Sequence, residues 1–165
     1  MSSNFSLGKV EVSLTPTERF EEFLKSRGKR VTQQRRLIVE DVFAQHDHFN
    51  ADELCDVLQK AGRDVSRPTV YRTLNEMVEA GLLRKMTIGS RSVYELDYGY
   101  PQHDHLYCEK CDKLMEFQSD EIVRIREQVA REFSFRVSGH RFIVYGVCDE
   151  CQKRSRRRPR RLEMV

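Results

Sequence analysis

Residues 103–111, His-Asp-His-Leu-Tyr-Cys-Glu-Lys-Cys, bring two imidazoles, a carboxylate and two thiols into nine positions. The thiols recur. Cys108 and Cys111 form one C-x-x-C pair and Cys148 and Cys151 a second, with 36 residues between the pairs. Each pair can turn two thiolates towards one ion, and four thiolates in tetrahedral array at about 2.3 Å satisfy Zn2+ with no coordination position left open. Such a site is closed, hence structural; a redox dithiol or unrelated core cysteines are the alternatives that the spacing leaves. Cys55, beside Leu54 and Leu58, has no such partner and reads as a small buried apolar residue. With the thiols assigned to zinc, His103 and His105 point to one side of an extended chain, and either ring can hold a borderline metal, so a second metal site is expected beside them.

The elements that must position these groups follow from cap residues and periodicity. Thr15 N-caps a first helix, with Pro16 at its first position, Glu18 completing a capping box and Gly28 as the stop. A second helix is predicted from after Thr32 to about Ala44 and a third over about Ala51–Ala61. A fourth opens at Ser66, runs its Val70, Leu74, Met77 and Val78 stripe inward and closes at Gly81; Arg72 falls nearly opposite that stripe, flanked by Thr69, Tyr71 and Asn75. The runs 82–88 and 91–97, joined by Gly89-Ser90, read as a hairpin, so the first part of the chain is a winged helix-turn-helix. Tyr98–Pro101 breaks the pattern and marks a linker. Beyond it, strands "HLYCE" and "KLMEF" flank the first cysteine pair, a helix starts after Ser119, and "FSFRV" and "RFIVYGVC" are predicted as the last two strands. In the last, Phe142 and Val144 point one way and Ile143, Tyr145 and Val147 the other, so both faces need cover that a partner subunit would supply.

The formal net charge of +3 is uneven: residues 153–161 alone hold seven positive charges, so the rest of the chain is net acidic. A second basic run, 25–36, holds six Lys or Arg and no acid. Such runs are either solvated faces or phosphate-attracting surfaces. No segment approaches the roughly 18–20 apolar residues of a membrane span, and no charged-then-apolar leader opens the chain, so no membrane and a cytoplasmic location are expected. In a reducing compartment, cysteines serve as metal ligands or core residues more often than as disulfides.

Six separated motifs, "GKRVTQQRRLIVEDVF", "HFNADELCDVL", "RPTVYRTLNEMVEAGLL", "SVYELD", "HDHLYCEKCDKLMEF" and "GHRFIVYGVCDEC", closely resemble the ferric uptake regulator family of metal-dependent bacterial repressors, over residues 15–152. The resemblance implies an α+β protein: a flexible arm (1–14), a winged-helix DNA-binding domain (15–97), a hinge (98–102), a small α/β dimerisation domain with the structural zinc (103–152) and a basic tail (153–165). It implies a regulatory metal held by His48, Glu95, His103, His105 and Glu116. Imidazoles and carboxylates without thiolate suit Fe2+ or Mn2+. Peroxide-sensing relatives typically carry aspartates where Glu95 and Glu116 stand, and zinc-sensing ones often add a cysteine near the wing. Iron is therefore the first effector expected, with Zn2+, Mn2+ or peroxide sensing second. A third site of many relatives would use Asp104 and His140, but Gln102 and Val123 replace its usual His and Glu.

The partners implied are a homodimer and an A·T-rich inverted repeat of double-stranded DNA, with no small-molecule substrate. Arg67, Thr69, Tyr71 and Arg72 would face the major groove, while Lys29 and Arg30 resemble the basic residue that the family places in a narrowed minor groove. A zinc-dependent hydrolytic enzyme is the rival class. The chain has no H-E-x-x-H and no H-x-E ahead of a P-C-x-x-C pair.

Overall fold

A computed structural model describes residues 10–45, 48–88 and 91–157, with backbone alone at 156 and 157. Residues 1–9 of the predicted arm, the Gly89-Ser90 turn and residues 158–165 of the basic tail lie outside the described residues. The chain divides into two compact units between Pro101 and Gln102.

The first unit carries α1 (Pro16–Ser26), α2 (Gln33–Ala44), α3 (Ala51–Lys60), α4 (Arg67–Glu79), β1 (Leu83–Ile88) and β2 (Arg91–Leu96). Its helices begin where side chains can satisfy first-turn N–H groups. Thr15 and Asn50 each close a capping box, with Glu18 and Glu53 respectively, and Thr32 and Ser66 accept from Arg35 N and Thr69 N. Inward faces of all four helices meet β1 and β2 in one core around Phe20, Leu24, Ile38, Val42, Leu54, Leu58, Leu74 and Met77. Cys55 joins that core, as its neighbours predicted. β1 and β2 pair antiparallel from Leu83↔Leu96 to Ile88↔Arg91, forming the wing. Residues 10–14 are tied down: Val10 N donates to Gly99 O at 3.0 Å and Tyr98 Oη to Leu14 O at 3.1 Å.

The second unit holds β3 (Asp104–Cys108), β4 (Leu114–Phe117), α5 (Asp120–Glu132), β5 (Ile143–Gly146) and α6 (Asp149–Arg157). Its sheet has the order β4-β3-β5, antiparallel between β3 and β4 and parallel between β3 and β5. Two expectations are corrected. "FSFRV" is not a strand: Ser134 takes a left-handed φ of 50° and Phe135 N donates to Ala130 O at 2.7 Å, so that backbone closes α5 instead of joining a ladder. The last strand is also shorter than "RFIVYGVC", because Phe142 N is bonded to the Asp104 carboxylate at 3.2 Å and α6 starts at Asp149. That helix continues across 153, where the sequence placed the start of the tail. In the last strand region Phe142 is 44% exposed, Val144 40% and Tyr145 54%, and Ile125, Phe133 and Phe135 on and after α5 are exposed as well.

Candidate metal centres

Strand register brings the four cysteines together. Cys108 ends β3 opposite Gly146 of β5, so the turn after β3 and the segment after β5 emerge at one end of the sheet. The first turns back through Asp112, at a left-handed φ of 58°, with Asp112 N bonded to Cys108 O at 2.9 Å; Cys111 projects from it. The second supplies Cys148 and then Cys151 in α6. All four Sγ atoms lie within 4.8 Å of one another. Cys111 and Cys148 stand 3.7 Å apart, close to the roughly 3.8 Å edge of a tetrahedron with 2.3 Å Zn–S bonds. Thiol chemistry also fits. Cys108 is drawn down to about 6, first by the backbone N–H of Cys148 and further by those of Lys110 and Cys111. Cys151 is pushed up to about 12, first by its hydrogen bond to the Cys111 thiol and then by burial.

Each unit also carries a smaller nitrogen and oxygen cluster. In the first, an isolated antiparallel bridge joins Phe49 to Tyr94, with Phe49 N bonded to Tyr94 O at 3.2 Å and Tyr94 N to Phe49 O at 2.8 Å. The flanking residues are thereby neighbours: His48 Nε2 lies 3.2 Å from Glu95 Oε2. An ion about 2.1 Å from both atoms would see them roughly 100° apart, an ordinary angle between adjacent ligands. In the second unit, His105 faces Glu116 across the β3–β4 ladder, and His103 shares the side of His105 with ring centroids 4.9 Å apart. His103 Nε2 is 3.7 Å from Glu116 Oε1. The chain thus offers one imidazole and one carboxylate from the winged unit, and two imidazoles and one carboxylate from the sheet unit.

This pairing of a thiolate cage with imidazole and carboxylate clusters, on these two folds, agrees with the matches to known proteins. The sequence profile described as the ferric uptake regulator family fits residues 26–145. The chain belongs to the ferric uptake regulator family. It is 35% identical over 137 residues to the ferric uptake regulation protein of Neisseria gonorrhoeae, covering 81% of this chain and 94% of that one. It is 33% identical over 129 residues to the peroxide-responsive repressor PerR of Staphylococcus aureus, covering 78% and 86%. Among solved structures, the ferric uptake regulator of Pseudomonas aeruginosa with manganese aligns at 30% identity with a TM-score of 0.68, over 78% of this chain and 97% of that one. As a member of this family the chain is a metal-responsive transcriptional regulator and not an enzyme, and the four-cysteine cluster is compatible with the structural zinc.

In the second unit of this family member, Asp104 and His140 are joined to each other. His140 Nε2 is 3.1 Å from Asp104 Oδ1, and its Nδ1 is 3.2 Å from Arg126 NH1. A guanidinium only donates, so Nδ1 accepts there and Nε2 carries the proton towards Asp104. Those bonds tie β3 and α5 to the segment before β5.

The residues expected on DNA lie on and beside α4. Arg72 and Tyr71 are exposed on it. Tyr71 Oη donates to Asp52 Oδ1 at 3.0 Å, and Arg67 reaches Asp52 at 2.7 Å and Asp56 at 3.6 Å. Thr69 Oγ1 lies 2.8 Å from Ser66 Oγ in the cap. Arg30 is exposed, whereas Lys29 Nζ is 3.0 Å from Glu76. Sequence reasoning missed Glu76, Arg35 and Asp52. Glu76 carried no signal: four positions after Arg72, it falls by helical periodicity near the outward side, and only the structure shows it buried, at 4% exposure.

Proposed function

We propose that this chain is an iron-responsive repressor. With Fe2+, or Mn2+ as surrogate, bound by His48, Glu95, His103, His105 and Glu116, a cytoplasmic dimer grips an A·T-rich inverted repeat and controls iron-homeostasis genes. The observation that carries the reading is the division of the ligands. One imidazole–carboxylate pair belongs to the winged unit and the rest to the sheet unit, so an ion that takes both sets fixes one pose of the DNA-reading unit. A dimer in that pose would set its two α4 helices about 34–36 Å apart, at successive major-groove faces. A preference of about 2–3 kcal/mol for the metal-bound pose would raise operator affinity about 30- to 150-fold.

In this reading Zn2+ fills the four-cysteine cage and holds the second unit together. Asp104 and His140, with Arg126 beside them, serve as a strut and take no ion. Arg72 and Tyr71 face the major groove, with Thr69 in the first turn of the same helix and Arg67 at its start. Retention of carboxylates longer than aspartate at 95 and 116 favours iron over peroxide sensing. Gel retardation with an A·T-rich palindrome tests this: the complex should form with Fe2+ or Mn2+, vanish with chelator, and be lost in His103→Ala. Equal retardation with and without metal would sink the sensor reading, and retardation with Zn2+ alone would reassign the effector.

A further inference from the structure

Glu76 lies on the helix that the proposed function puts on DNA, yet nothing in that reading uses it. It is 4% exposed. A carboxyl group withdrawn from water needs polar or cationic neighbours, and two cations face this one. Lys29 Nζ lies 3.0 Å from Oε1, and Arg35 NH2, from α2, lies 3.1 Å from Oε1 and 3.0 Å from Oε2. Arg35 also donates through NH1 to the carbonyl of Arg30. The other end of this segment is equally fixed: Gly28 takes a φ of +63° after α1, and Lys29 N donates to Leu24 O at 2.8 Å. Residues 28–30 are therefore fastened to the end of α1 on one side and, through Arg35 and Glu76, to α4 on the other.

Lys29 and Arg30 are consequently not equivalent. Both are exposed, but the Lys29 ammonium is paired with Glu76, while Arg30 has its carbonyl held by Arg35. We infer that Glu76 is a positioning residue whose ion pairs with Lys29 and Arg35 keep Arg30 in register with α4, so that Arg30 enters the minor groove beside the major groove that Arg72 and Tyr71 read. Lys29 is a strut in this arrangement and Arg30 the probe. The inference rests on the DNA-binding reading above.

Charge alone predicts something else. Removing an acid from a DNA-binding face adds net positive charge and tightens binding to every duplex. Loss of positioning instead removes discrimination in the minor groove. The full-length Mn2+-loaded protein is used to select an operator from random duplexes. That operator is then compared with a copy whose adenines are replaced by 2,6-diaminopurine, which adds an amino group in the minor groove and leaves the major-groove edge unchanged. The wild type is expected to bind the substituted copy about tenfold more weakly, and Glu76→Gln to bind both duplexes within about threefold of each other. Arg35→Gln, at a partly exposed position on α2, cuts the same link without altering α4 and should show the same loss. Retained tenfold discrimination in Arg35→Gln or in a folded Glu76→Gln, including uniformly tighter binding, overturns the inference, as does a wild type indifferent to the substitution. Failure to select any duplex overturns the DNA-binding reading itself.

Discussion

Without a metal the four cysteines cannot all hold their thiolate forms: Cys108 is drawn down to about 6 while Cys151 is pushed up to about 12 and Cys111 is also raised. A zinc ion needs four thiolates, so it must expel the protons that Cys111 and Cys151 retain near neutral pH. The sign follows directly. Lowering the pH returns those protons and weakens the site, so zinc affinity should rise by about two decades or more per pH unit between pH 7 and 8. Competition against a chromogenic chelator at the two pH values measures this, and a slope near zero would show that the cluster takes no ion through these thiols. The duplicated C-x-x-C spacing made this cluster legible in the sequence. His48 and Glu95 are 47 positions apart, and no spacing rule joins them. Their approach depends on one bridge between Phe49 and Tyr94, so only the family resemblance put them in one set.

At the scale of elements, that bridge is also a packing contact. The Phe49 and Tyr94 rings stack with centroids 5.7 Å apart, and both side chains are buried in the core of the winged unit. Phe49→Ala would leave a void that the surrounding helices fill only in part, at a cost of about 3 kcal/mol or more. Urea unfolding should show the loss. Because His48 is held beside Glu95 by the same bridge, regulatory-metal affinity should fall as well, with bound zinc unchanged; metal binding at the wild-type level would disconnect the bridge from the site. Helix starts in this unit were readable because Thr15, Thr32 and Ser66 are cap residues whose side chains accept first-turn N–H groups. The segment after α5 was misread for an equally local reason. The alternation in "FSFRV" satisfies a strand template, but its first backbone N–H groups are spent on closing α5, and among the described residues no neighbouring strand takes the rest.

For the whole molecule, the apolar surface of the second unit is the face on which the proposed dimer would assemble. Ile125 and Val129 fall on one side of α5 at helical spacing, Phe133 follows at its C-cap, and they, with Phe135, are exposed. Apolar surface left open this way marks an interaction face, and in the proposed dimer a second copy of the same unit would supply matching surface. In the proposed reading the dimer would also give an inverted repeat its affinity, since tethering the second winged unit beside the first typically adds a factor of about 10² to 10⁴. Ile125→Asp combined with Phe133→Asp places two charges on that face and leaves the four cysteines in place. Sedimentation should then report a monomer that retains its zinc, and affinity for the inverted repeat should fall by about 10² or more, towards that for a single half-site. A variant that stays dimeric, or a monomer that still binds the full repeat as tightly as the wild type, would mean that this face does not organise the assembly.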